Sequence, residues 1–124
     1  MSDSVTVEYK VKVPQVEAGL VAVFHAQHPN FAGSYMWDIQ PPPPWPSDFR
    51  QVAWVIVDDA DEEQAMNMAW EATNHIDHAW TENGNVKSLT SRPRSSAVGD
   101  VFLLAGGKAM RVDSCGFVEV KNGS

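Results

Sequence analysis

Two histidine pairs are the residues of this 124-residue chain best placed to do chemistry. His75 and His78 lie three apart in a stretch with helical periodicity, and Glu71 precedes His75 by four. Steps of three and four bring side chains to one flank of a helix. Glu71, His75 and His78 could therefore offer a carboxylate and two imidazoles to a divalent metal, with Asp77 supporting a ligand from behind. His25 and His28 form the second pair, at a strand end and the turn after it, and convergence of the pairs would make a four-ligand site. His-x-x-His spacing equally suits ordinary surface or capping histidines, and no cysteine reinforces either pair. The reading is a chain without cofactor, with a divalent metal as the alternative.

Other reactive arrangements find less support. Cys115 is the only cysteine, which excludes an intramolecular disulfide, and no histidine is near it in sequence. It reads as a structural thiol. Gly106-Gly107 lies between two strand-like runs and does not open a helix, so no phosphate-cradling loop is present. No catalytic residue is assigned, and an enzyme is the less favoured reading.

Charge is the most unusual feature. The formal net charge is −7, which disfavours direct nucleic-acid binding through a phosphate-neutralising surface. From Gln51 to Val86 there is no Lys or Arg, while Asp58, Asp59, Asp61, Glu62, Glu63, Glu71, Asp77 and Glu82 contribute eight acids. A helix of about 20 residues would be ~30 Å long, a length along which one DNA strand carries about nine phosphates. Eight acids approach that number, so the belt could imitate DNA toward a basic site on a host protein. A turn of about 100° per residue scatters them around the helix, however. Trp37 and Trp45, in a segment rich in proline and tryptophan, are the other expected contact residues.

The elements that would carry these residues follow from periodicity. Val5, Val7, Tyr9, Val11 and Val13 alternate with polar residues and predict a strand ending at Pro14. Leu20–Phe24 predicts a second strand, and residues 27–48 a long loop containing Pro41–Pro44 and Trp45-Pro46. The prolines could dock on a partner or pack against the chain's own tryptophans. Phe49–Val57, apolar on both faces, predicts a central strand. Asp58 and Asp59 then predict a helix cap, and Ala65, Met68, Ala69, Ala72, Ile76 and Ala79 predict one long helix from Ala60 to Trp80. Val101–Leu104, a turn at Ala105-Gly106-Gly107, Lys108–Val112 and Phe117–Val120 predict a C-terminal β region, and 121–124 a frayed tail. The sum is one α+β domain over 1–124, a mostly antiparallel sheet of about five or six strands with one long helix on one face. With no apolar leader after Met1 and no membrane-length apolar run, a cytoplasmic protein is expected.

Arg94 to Val101 reads R-S-S-A-V-G-D-V, and Gly107 to Val120 reads G-K-A-M-R-V-D-S-C-G-F-V-E-V. Together they resemble the C-terminal signature of YodL-like proteins of phages, plasmids and conjugative elements, with Ala97 where that pattern shows Ser. Asn74, Asp77 and Trp80 are similar to positions upstream of the signature in phage members. The resemblance implies an accessory protein of a mobile element and no particular reaction. From the residues themselves the signature is fold-specifying. Gly99-Asp100 is a turn that starts a hairpin, and Gly116 suits a bulge or a positive φ. The expected function is a non-enzymatic interaction module acting on a host or phage protein, with a metal-binding protein using His25, His28, His75 and His78 as the alternative.

Overall fold

Leu20–Ala26 is apolar at nearly every position, which suits a strand buried on both faces. This strand, β1, lies in the interior of an antiparallel sheet. The computed structural model describes residues 13–27, 41–74, 79–91, 94–113 and 116–121. Within them the other strands are β2 (Phe49–Ile56), β3 (Val86–Ser88), β4 (Val101–Leu104), β5 (Ala109–Asp113) and β6 (Gly116–Val120). Their order across the sheet is β3-β2-β1-β4-β5-β6, every neighbouring pair antiparallel. The fold is α+β. Among the described residues no helix is long and apolar enough to cross a membrane.

The period-2 alternation of strands divides the core in two. On one face Val21, Val23, Ala53, Val55, Phe102 and Leu104 meet the helix α1 (Glu62–Ala72) through Ala65, Met66, Ala69 and Ala72. On the other, Ala22, Phe24, Val101, Leu103 and Ala109 are covered by Val16, Trp45 and Phe49. A register shift between Val23 and Phe24 in the β1–β2 pairing marks a bulge.

Three expectations are corrected. The helix has 11 residues rather than about 20, and its N-cap is Asp61, not Asp58 or Asp59. Asp61 accepts from the Gln64 amide at 2.8 Å while Gln64 Oε1 accepts from the Asp61 amide at 3.2 Å, a reciprocal capping box. At the other end Thr73 leaves helical geometry (φ −112, ψ 27), and Asn83 Nδ2 donates to the Ala72 carbonyl at 2.8 Å. Met68, assigned to the apolar stripe, is instead 37% exposed, and Met66 takes the buried position. After the helix, Trp80–Glu82 forms a separate 3-10 turn. Ile76 lies outside the described residues.

The second correction concerns Trp45, expected at a contact surface. It is 2% exposed, edge-on to Phe24 (5.0 Å) and Phe49 (5.3 Å). The backbone carbonyl of Pro43 accepts from Arg111 Nη2 at 2.6 Å, and that guanidinium lies 5.9 Å from the Phe49 ring centroid. Burial lowers the Arg111 pKa from its usual value. Residues 41–48 are thus the second layer over the sheet. Trp37 lies outside the described residues.

Third, β3 has no counterpart in the sequence reading. Of the strand expected over 4–14, residues 4–12 lie outside the described residues, and Val13 and Pro14 are not in a strand.

Trp45→Ala should lower the free energy of unfolding by about 3–5 kcal/mol, the usual range for truncating a buried large aromatic. A urea titration of the full chain measures it.

Candidate functional site

The loop from Arg94 to Asp100 starts with a cation and ends with an anion, and the fold brings the two together. Asp100, 1% exposed, accepts four hydrogen bonds. Its Oδ1 accepts from Arg94 Nη2 (2.8 Å) and the Ala26 amide (3.0 Å), its Oδ2 from Arg94 Nη1 (2.7 Å) and the Ala97 amide (2.8 Å). The fork of the guanidinium matches a carboxylate, which makes this a bidentate pair. Arg94 also donates to the carbonyls of Ser95 (3.0 Å) and Ala26 (3.3 Å), and its own carbonyl accepts from Trp80 Nε1 at 2.6 Å. Gly99 takes φ +99, a conformation only glycine adopts without strain, as the loop turns toward β4. Ala97 contributes its amide to Asp100, a role independent of its side chain.

A second set of buried polar groups continues from this pair. Thr73 Oγ1 donates to the Ala69 carbonyl at 2.7 Å. Its one proton being used, Thr73 must accept at the 2.7 Å contact with Ser96 Oγ. Ser96 has then spent its own proton, so at 2.9 Å it accepts from His25 Nε2. The tautomer follows: His25 carries its proton on Nε2, and donation runs from His25 through Ser96 and Thr73 to Ala69. The Ser96 amide also donates to the Thr73 carbonyl at 2.9 Å, which stitches the loop to the end of α1.

Serine, histidine and aspartate here are the residue types of a nucleophilic triad, but the geometry is different. A triad uses both ring nitrogens, one toward the nucleophile as proton acceptor and the other toward the acid. In this chain His25 Nε2 is the nitrogen near both Ser96 (2.9 Å) and Asp100 (3.8 Å), and it donates to the serine. Both carboxylate oxygens are occupied by Arg94 and backbone amides, and Ser96 is 3% exposed. The cluster holds the fold. Burial lowers the His25 pKa from 6.5 to about 4, assisted by Arg94 and Arg50 and opposed by Asp100.

Of the expected metal ligands, His25 and Glu71 lie within the described residues. His25 is buried, with its ring 6.2 Å from that of Trp80, while Glu71 is exposed on α1. His28, His75 and His78 lie outside the described residues, as does Cys115. Among the described residues no group of three or more His, Cys, Asp or Glu side chains is placed to hold a metal.

The acidic residues form an outer surface. Asp58, Asp59, Asp61, Glu62, Glu63, Glu71 and Glu82 are all exposed, and Asp77 lies outside the described residues. Asp58 and Asp59 belong to the turn between β2 and α1, where the Val57 and Asp58 amides donate to the Gly19 carbonyl at 2.8 and 3.1 Å. Lys108 Nζ pairs with Glu62 at 3.0 Å, and that bond raises the lysine pKa. Asp58, Asp59 and Glu71 border an open groove of about 530 Å³ whose floor includes Val57, Ala60 and Met68.

Sequence reasoning missed Thr73, Ser96 and the Arg94–Asp100 pair. The available signal was the motif itself, with opposite charges six residues apart around a small-residue loop. Comparisons with protein-family models, curated proteins and solved structures return no match.

Asp100→Asn, which leaves Arg94 without its counter-charge, should destabilise the fold by roughly 2–4 kcal/mol; this discounts the usual loss for a broken buried pair because Arg94 is partly exposed. Urea unfolding checks it. A lowered folded-state pKa means that the unfolded chain binds the extra proton first. The stabilisation from neutral His25 is therefore complete above pH 6.5 and lost as pH falls toward about 4. Within that window the wild type should lose up to about 1.4 kcal/mol per pH unit more than His25→Gln. Parallel slopes for the two proteins would contradict this.

Proposed function

We propose that this chain is a non-enzymatic protein-interaction module, an accessory protein of a phage or related mobile element. It offers its acidic surface to a basic site on a host or phage protein. The observation that carries the reading is the exposure of Asp58, Asp59, Asp61, Glu62, Glu63, Glu71 and Glu82 in a stretch, 51–86, that contains no Lys or Arg. The mobile-element origin rests on the resemblance of Arg94–Val101 and Gly107–Val120 to the YodL-like signature.

Six of the acids fall into two groups, and Glu82 belongs to the separate 3-10 turn. Asp61, Glu62 and Glu63 surround the start of α1, where the helix dipole already favours negative charge. Asp58, Asp59 and Glu71 instead border the groove beside Met68, so the second group is the better contact surface. An 11-residue helix is about 16 Å long, the span of about five phosphates on one DNA strand. The six acids from Asp58 to Glu71 imitate at most such a short stretch of backbone, by turn and helix together.

Asp58→Asn/Asp59→Asn/Glu71→Gln removes three charges from exposed positions. Asn tolerates the positive φ of Asp58 (51°), so the fold should persist. Affinity capture from host lysate at low salt should retain a basic partner on the wild type. Retention should fall at least tenfold for the triple variant, and also for the wild type as salt rises through about 0.5 M, where exposed charges are screened. A partner held equally by both proteins at both salt concentrations sinks the proposal.

A further inference from the structure

The end of α1 is tied to the chain that enters β3 by a single asparagine, and a glycine follows it. Asn83 closes the 3-10 turn Trp80–Glu82. Its Nδ2 donates to the Ala72 carbonyl at 2.8 Å. That carbonyl belongs to the last turn of α1, where carbonyls have no partner within the helix. The main chain of Asn83 is held as well. Its amide donates to the Trp80 carbonyl at 3.0 Å, and its carbonyl accepts from the Val86 amide at 3.1 Å. Gly84 is exposed, and a Cβ built on it would meet no atom within 4 Å.

Asparagine before glycine is a reactive pair. The Gly84 nitrogen attacks Asn83 Cγ, since glycine has no side chain to crowd the approach. The new C–N bond closes a five-membered succinimide, the Cγ–Nδ2 bond breaks, and Nδ2 leaves as ammonia with the proton that Gly84 gives up. Water then adds to one of the two ring carbonyls, a ring C–N bond breaks, and the nitrogen regains a proton. Opening at Cγ leaves aspartate, and opening at the main-chain carbonyl leaves isoaspartate. Neither step needs an oxidant or a reductant. The fold keeps the reactants apart. Ring closure nearly eclipses the Gly84 nitrogen with Asn83 Cβ, and at the observed ψ of 138° the nitrogen is rotated far from that position. The leaving nitrogen is also the one bonded to Ala72.

We propose that Asn83-Gly84 is a self-modifying site gated by the helix end. It is protected while the Asn83–Ala72 bond is closed, reacts when local opening frees it, and afterwards cannot close in the same way. The product has a carboxylate where the amide donated, so the Ala72 carbonyl loses its donor and meets a negative group. A helix C-terminus repels such a charge, and the last turn of α1 has no basic residue to receive it. Isoaspartate also adds one carbon to the main chain just before β3, whose three residues pair with β2.

Incubation of the full chain in mildly alkaline buffer, which favours loss of the Gly84 proton, tests the proposal by mass spectrometry of tryptic peptides. Asn83 falls in the peptide 51–87, because no Lys or Arg lies between Arg50 and Lys87, and the Asn122-Gly123 pair falls in another. Fragment ions should place a gain of one mass unit at position 83. The folded wild type should convert at least tenfold more slowly than the same protein in guanidinium chloride, where the helix end is open. Gly84 has no positive φ, so Gly84→Ala should melt no lower than the wild type. In guanidinium chloride its conversion should be at least tenfold slower, because the new Cβ crowds the attacking nitrogen. Asn83→Asp reproduces one product and should melt about 3–6 °C lower, the shift for one lost hydrogen bond in a domain of this size. No conversion at position 83, equal rates in folded and unfolded protein, Gly84→Ala converting as fast as the wild type, or Asn83→Asp melting with it overturns the proposal.

Discussion

A carboxylate removed from water must recover, from the protein, the hydrogen bonds that water supplied. Asp100 does so with four donors drawn from three places: the Arg94 fork, the Ala26 amide at the end of β1 and the Ala97 amide within its own loop. The loop between Arg94 and Asp100 consequently has a single shape. That shape delivers Ser96 to Thr73 and His25, the Arg94 carbonyl to Trp80, and the chain to β4. Helix end, 3-10 turn and two central strands are held at one point. The short helix is part of the same arrangement, because Thr73 ends α1 at the place where the loop from Arg94 to Asp100 crosses it.

Much of the sheet was legible in the sequence because its signals are local. Val52 to Val57 is apolar at every position, and the glycines at 106 and 107 punctuate the β4–β5 hairpin with positive φ of 89° and 94°. Gly116, at φ 139°, opens β6 as its type suggested. The helix was misread for a physical reason. Ala79 and Trp80 continue the spacing of the apolar stripe, yet Trp80 is buried from a separate turn. Periodicity cannot distinguish one long helix from a short helix and a turn that bury their side chains in the same core. β3, with three residues, is too brief to carry a period.

The candidate site was less legible, since its groups meet through tertiary contacts. His25 and Ser96 are 71 residues apart in the chain, and Thr73 carries no mark of its own in the sequence. The acidic surface, by contrast, could be read directly, because exposure follows from charge when no basic residue is nearby in the chain. Trp45 shows the limit of that logic. Its proline-rich surroundings suit either a recognition segment or packing against the chain's own aromatics, and its partners are Phe24 and Phe49.

The backbone amides that Asp100 accepts carry a kinetic consequence. Loop and strand-end amides ordinarily exchange their hydrogens with solvent through small local openings. Those of Ala26 and Ala97 are bonded to a buried carboxylate that is itself clamped by a guanidinium. Releasing either one breaks a hydrogen bond to a carboxylate held by three other donors. Both amides should therefore exchange more slowly than those of neighbouring loop positions that lack such a partner, which hydrogen exchange followed by NMR would show.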